Sequence, residues 1–141
     1  MILSLYAAFT VYSIYLIASS EKDISFIELI QAPFIEELLF RGILLSILMK
    51  KLDIRSALIV SSIGFAFIHI LDSPYMAIMN GYIGYLIMGI PRVISGSILV
   101  AIMGHFTANQ LASHSIEYGI FLLLLVVILY RHRKESGIRL I

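Results

Sequence analysis

The chain has 141 residues, 60% of them hydrophobic and only 13% charged, with a net charge of +1 and a mean hydropathy of +1.00. A soluble domain devotes roughly a quarter of its residues to charge, so this composition lacks the material for a water-facing surface and points to an integral membrane protein. The near-neutral balance supplies no basic stripe for phosphates, which excludes nucleic acid as a partner, and the lack of cysteine excludes disulfides, thiolate metal sites and a cysteine nucleophile.

A spanning helix needs about 20 mostly apolar residues, and six stretches qualify. The first is expected over Ile2–Ala18; it starts apolar with no basic leader, and so is read as a retained span. A polar turn and a short interfacial stretch follow, and Pro33 is expected at the N-terminus of a second span ending near Met49. "KKLDIRS" is a charged turn. The third span is expected over Ile54–Leu71, ended by "DSP", and a glycine-rich fourth over Tyr75–Ile90, with Pro91-Arg92 as its stop. The fifth covers Val93–Leu111 and the sixth Ile116–Tyr130, followed by a basic tail. Residues 1–141 read as one domain: an all-α, polytopic integral membrane helical bundle of about six transmembrane helices.

With the N-terminus placed inside, Lys50, Lys51, Arg55, Arg92, Arg131, Arg133, Lys134 and Arg139 fall on the inner side. The outer side holds Lys22 with the acids Glu21, Asp23, Glu28, Asp72 and Glu117. This asymmetry predicts a multi-pass protein of the plasma membrane with both termini cytoplasmic. Asn80 and the glycines of the fourth span read as a helix-packing face, and such small-residue faces permit a homo-oligomer.

Ionisable groups at membrane depth are costly and mark a functional interior. Here they are Glu36, Glu37 and Arg41 on the second span, His69 on the third, and His105 with Asn109 on the fifth. The six-span topology puts all of them in the outer leaflet. Glu37 and Arg41 are one helical turn apart, acid first, the order that favours an ion pair. Glu36 is rotated about 100° from Glu37 and need not share that partner, leaving it available as a general base. His105 and Asn109 share a helical face, as do Phe65 and His69.

The strings "EELLFR", "FAFIH" and "HFTAN" resemble the EExxxR, FxxxH and HxxxN motifs of the CPBP family, the CAAX-protease and bacteriocin-processing (Abi) membrane endopeptidases. The motif core spans residues 33–110. The resemblance implies an intramembrane glutamic-type endopeptidase without a cofactor, in which Glu36 activates water with help from His69. It implies that His105 and Asn109 line an oxyanion hole, that Glu37 and Arg41 form a supporting pair, and that Phe65 packs beside His69. The expected partners are the lipid bilayer and a peptide or protein substrate at the membrane. Outer-leaflet placement leans toward leader or secreted peptides rather than prenylated CAAX proteins.

Other chemistries are weighed against the same letters. No HExxH or G-x-S-G string occurs, and Asp23, Asp53 and Asp72 all fall in turns, where an aspartyl protease would need two buried aspartates. Glu36, His69 and His105 make a legitimate zinc set, so a zinc protease stays open. So does a non-hydrolytic binder or transporter, and so does a scaffold whose buried polar groups only specify packing. His114 reads as a loop residue, His132 as part of the basic anchor, and Ser97 as a packing residue rather than a nucleophile.

Overall fold

The structure is a computed structural model that describes residues 2–19, 26–71, 73–111 and 115–136. Glu21, Lys22, Asp23, Asp72, His114 and Arg139 lie outside the described residues, as do the side chains of Glu28, Glu117, His132, Arg133 and Lys134. Every element among the described residues is helical.

Helix α1 is Ile2–Ala18. Helix α2 combines Phe26–Glu37, a π-helical turn at Leu38–Leu44 and a last α-helical turn at Leu45–Leu48. Helix α3, Ile54–Ile68, is capped by the Asp53 side chain, which accepts from the Ser56 amide. Helix α4 runs over Pro74–Ser95 with a π-helical turn at Gly84–Gly89. Helix α5 is Ile98–Leu111 and α6 is Ser115–Ser136.

Two proline readings need correction. Pro33 lies inside α2 rather than at its start. Pro91 does not stop α4, which continues to Ser95 and ends at Gly96, the one described residue with a left-handed backbone (φ 69°). A membrane-type helix absorbs a proline where local π adjustments re-satisfy the freed backbone groups, and the π turn of α4 ends two residues before Pro91. The glycine at the end of α4 adopts the left-handed conformation at no steric cost.

Helix α5 is the hub, packed against α1, α2, α4 and α6. Its Val100, Ala101, Gly104–Ala108 and Leu111 are buried, and four of these eight, Ala101, Gly104, Thr107 and Ala108, are small, which lets several helices approach one axis. Around it, Tyr6, Phe65, Ile87, Phe121 and Leu125 form one apolar cluster. The exterior is also apolar: Leu3, Val11, Ile43, Ile63, Leu99 and Val126 are all about half exposed or more. A continuous outer layer of this kind is stable against hydrocarbon, whereas in water it would be an association surface. Among the described residues α4 is the helix long and apolar enough to cross a membrane by length and composition, with 22 residues and a hydropathy of 1.3. Ile2–Ala18, Ile54–Ile68 and Ile98–Leu111 are apolar but shorter.

Candidate active site

Glu36 and Glu37 end the first segment of α2, immediately before its π turn. The wider turn changes the helical phase at the point where Arg41 follows, and π turns of this kind recur at functional sites. Arg41 Nη1 still reaches back to Glu37 Oε1 at 3.0 Å, with both side chains essentially sealed from solvent at 1% and 0% exposure. Burying two charges is tolerable only when they pair and their remaining valences are used. Phe65 of α3 meets only part of that need, its ring 4.2 Å below the Arg41 guanidinium carbon in a cation–π contact. Gly84 of α4 leaves room for the guanidinium: a Cβ there would fall on it and 3.0 Å from the Phe65 ring, while Arg41 Nη2 and Glu37 Oε2 stay buried without a hydrogen-bond partner among the described residues.

Glu37 has a second partner, and the spacing argument did not anticipate it. His105 Nδ1 lies 2.9 Å from the same Oε1 that Arg41 binds. A carboxylate paired with arginine can only accept, so Nδ1 carries the proton and donates it, and the ring is oriented with Nε2 facing away from Glu37. That nitrogen points at Glu36, 3.8 Å from Oε2. His69, at the C-cap of α3, brings its own Nε2 to 3.8 Å from the same Glu36 oxygen. The Phe65 ring holds both imidazoles edge-on, at 5.1 Å and 70° for His69 and 5.5 Å and 87° for His105.

One carboxylate oxygen thus faces two imidazole nitrogens at a distance too long for a direct hydrogen bond. Glu36 Oε2 is buried and makes no hydrogen bond to protein among the described residues, while the Glu36 side chain as a whole is 23% exposed. Glu37 is sealed and neutralised; Glu36 is reachable and uncommitted.

Six of the seven expected residues come together here: Glu36, Glu37, Arg41, Phe65, His69 and His105. Asn109 is one turn beyond His105 on α5, but it is exposed and makes no side-chain hydrogen bond among the described residues. Gly84, Phe40 and Ser61 also belong to the surroundings and were not foreseen. Phe40 stacks edge-on to Phe65 at 5.5 Å, and the Ser61 hydroxyl donates to the Phe40 carbonyl at 2.9 Å. Only the glycine content of the fourth span hinted at a close approach. Among the described residues no group of three His, Cys, Asp or Glu side chains is arranged to hold a metal ion.

Residues 24–111, well over half of the chain, match the family model "Type II CAAX prenyl endopeptidase Rce1-like". No characterised protein and no solved structure matches the chain significantly. The matched segment contains all three motifs and every residue of the cluster around Glu36. The chain therefore belongs to the type II CAAX prenyl endopeptidase Rce1-like family of membrane-embedded proteases.

Proposed function

We propose that the chain is a glutamate-dependent intramembrane endopeptidase, a single domain over residues 1–141, in which Glu36 is the general base. The observation that carries this reading is the 3.8 Å separation of Glu36 Oε2 from the Nε2 atoms of both His69 and His105. A water bound on the exposed side of Glu36 has the base against it and the two imidazoles close by. Glu36 takes its proton as the oxygen attacks the peptide carbonyl, and returns that proton to the departing amine. His105, oriented by Glu37 at Nδ1, donates to the oxyanion from Nε2 when that nitrogen carries a proton. Arg41 pairs with Glu37 at 3.0 Å and holds it in place for that purpose. Asn109, exposed and without a competing hydrogen bond among the described residues, supplies a second donor once substrate is present.

The bilayer setting follows from the family and from the apolar exterior, and the six-span arrangement with both termini cytoplasmic follows from the charge asymmetry. The ionisable groups of the cluster all come from one chain, so the chemistry asks nothing of a second copy. The family favours a prenylated CAAX-type peptide as substrate. A leader-type peptide is the second reading, favoured by the outer-leaflet position that the lysine and arginine count gives the site.

Purified protein in bicelles is offered a farnesylated CAAX-type peptide and a leader-type peptide, with and without EDTA. Cleavage of one internal bond, unaffected by chelation, is expected. Loss of cleavage in EDTA that zinc restores transfers the reading to a zinc protease built on Glu36, His69 and His105. Absence of product from every peptide leaves the binder or transporter reading in its place.

A further inference from the structure

Helix α1 lies outside residues 24–111, yet it carries a residue that touches two supports of the cluster. Tyr6 is fully buried, and its hydroxyl donates to the backbone carbonyl of Ile87 in the π turn of α4. In an α-helix that carbonyl would accept from the residue four further on. Here that residue is Pro91, which has no N–H to give. Tyr6 replaces a hydrogen bond that the sequence of α4 has removed, and a buried carbonyl needs such a partner.

The ring has a second role in the packing. A Cβ at Gly104 would meet Tyr6 Cε1 at 2.5 Å and the Ile87 carbonyl at 3.0 Å, so tyrosine, π turn and α5 converge on the residue preceding His105. Phe121 of α6 locks the ring from behind, edge-on at 5.4 Å. The π turn that Tyr6 fastens begins at Gly84, the surface against which Arg41 rests. Arg41 holds Glu37, and Glu37 holds His105. The Arg41 end of the Arg41–Glu37–His105 chain therefore rests on the π turn that Tyr6 fastens at Ile87, and the His105 end follows the glycine against which Tyr6 packs.

We infer that Tyr6 is a positioning residue for the reaction: with Pro91, its hydroxyl fixes the register of the α4 π turn and so the placement of Arg41, Glu37 and His105. The inference about turnover rests on the proposed endopeptidase reading; the backbone part does not. Tyr6→Phe keeps the ring on Gly104 and removes only the hydroxyl. Turnover on whichever peptide the parent cleaves is expected to fall about tenfold to a hundredfold with KM little changed, as expected for misplaced catalytic groups. In the same variant, amide hydrogen exchange over residues 84–95 is expected to speed up while α3 is unaffected.

Tyr6→Phe combined with Pro91→Ala separates positioning from mere satisfaction of a carbonyl. Alanine returns an N–H to Ile87 in α-helical register, so thermal stability recovers while turnover stays low. Turnover that returns together with stability, or a Tyr6→Phe enzyme as fast as the parent, overturns the inference. Unchanged exchange in Tyr6→Phe overturns it too, and that arm needs no substrate. A parent that cleaves nothing counts against the endopeptidase reading alone, and exchange then decides the role of Tyr6.

Discussion

Removing the Arg41 charge exposes how the buried pair is held. In Arg41→Met the stem is kept and the guanidinium is lost, along with its 3.0 Å bond to Glu37 and its seat 4.2 Å over Phe65. Glu37, fully buried, keeps only His105 as a partner. Breaking a buried pair by removing one member costs about 3–5 kcal/mol, because the survivor is left charged and desolvated. The ring contact, desolvated here, contributes up to about 2 kcal/mol of that. Against a total stability of ~5–15 kcal/mol for a domain, the single substitution removes a large fraction. Glu37→Gln/Arg41→Met leaves no buried charge and still offers His105 a carbonyl acceptor, so it should recover more than half of the loss. Denaturant unfolding in mixed micelles measures both. A single variant costing less than about 1 kcal/mol, or a double variant no better than the single, refutes the claim that Glu37 is ionised and paired in the interior.

Other consequences follow from neighbouring contacts. Gly84→Ala drives a methyl into the Arg41 guanidinium and the Phe65 ring; overpacking of this kind costs about 1–3 kcal/mol by unfolding and should slow turnover in parallel. Ser61→Ala deletes the 2.9 Å bond to the Phe40 carbonyl in the α2 π turn and should cost about 1 kcal/mol with local exchange increasing over residues 38–44. Hydrogen bonds from the Ser56 side chain and amide hold the Asp53 carboxyl below its ordinary range. Its capping contribution is therefore full above the ordinary aspartate pKa and fades as pH falls through the lower folded value. Exchange at the α3 N-terminus should rise only in acid, and Asp53→Ser should abolish that dependence; a rise near neutral pH would contradict it.

The parts of the site legible in the sequence are those encoded by short-range spacing. Glu37 and Arg41 at i,i+4 pair as expected, and Phe65 lies against His69 one turn away. Convergence of α2, α3 and α5 was legible because buried charge in an apolar chain has few places to go, and one chain end of each helix faced the same way. The prolines misled. Pro33 and Pro91 were read as boundaries, since a lone proline breaks an ordinary α-helix, and the π turns that accommodate the second of them leave no composition mark. Three-dimensional coincidences were equally hidden. His105 meets Glu37 across 68 positions and Tyr6 meets Ile87 across 81, and no periodicity links them. Gly84 as the resting surface of Arg41 was visible only as one glycine among several. Asn109 shares the spacing of His105 but not its burial, because α5 turns that residue out of the packed interior.

The central claim is that Glu36, held apart from the Arg41–Glu37 pair, supplies the base. Single-turnover cleavage by Glu36→Gln measures this directly, because glutamine keeps the shape and hydrogen-bonding reach of the side chain while removing its basicity. The account predicts a folded, membrane-inserted protein whose rate constant falls by about 10²–10⁴. A Glu36→Gln protein that cleaves at close to the parental rate would contradict it.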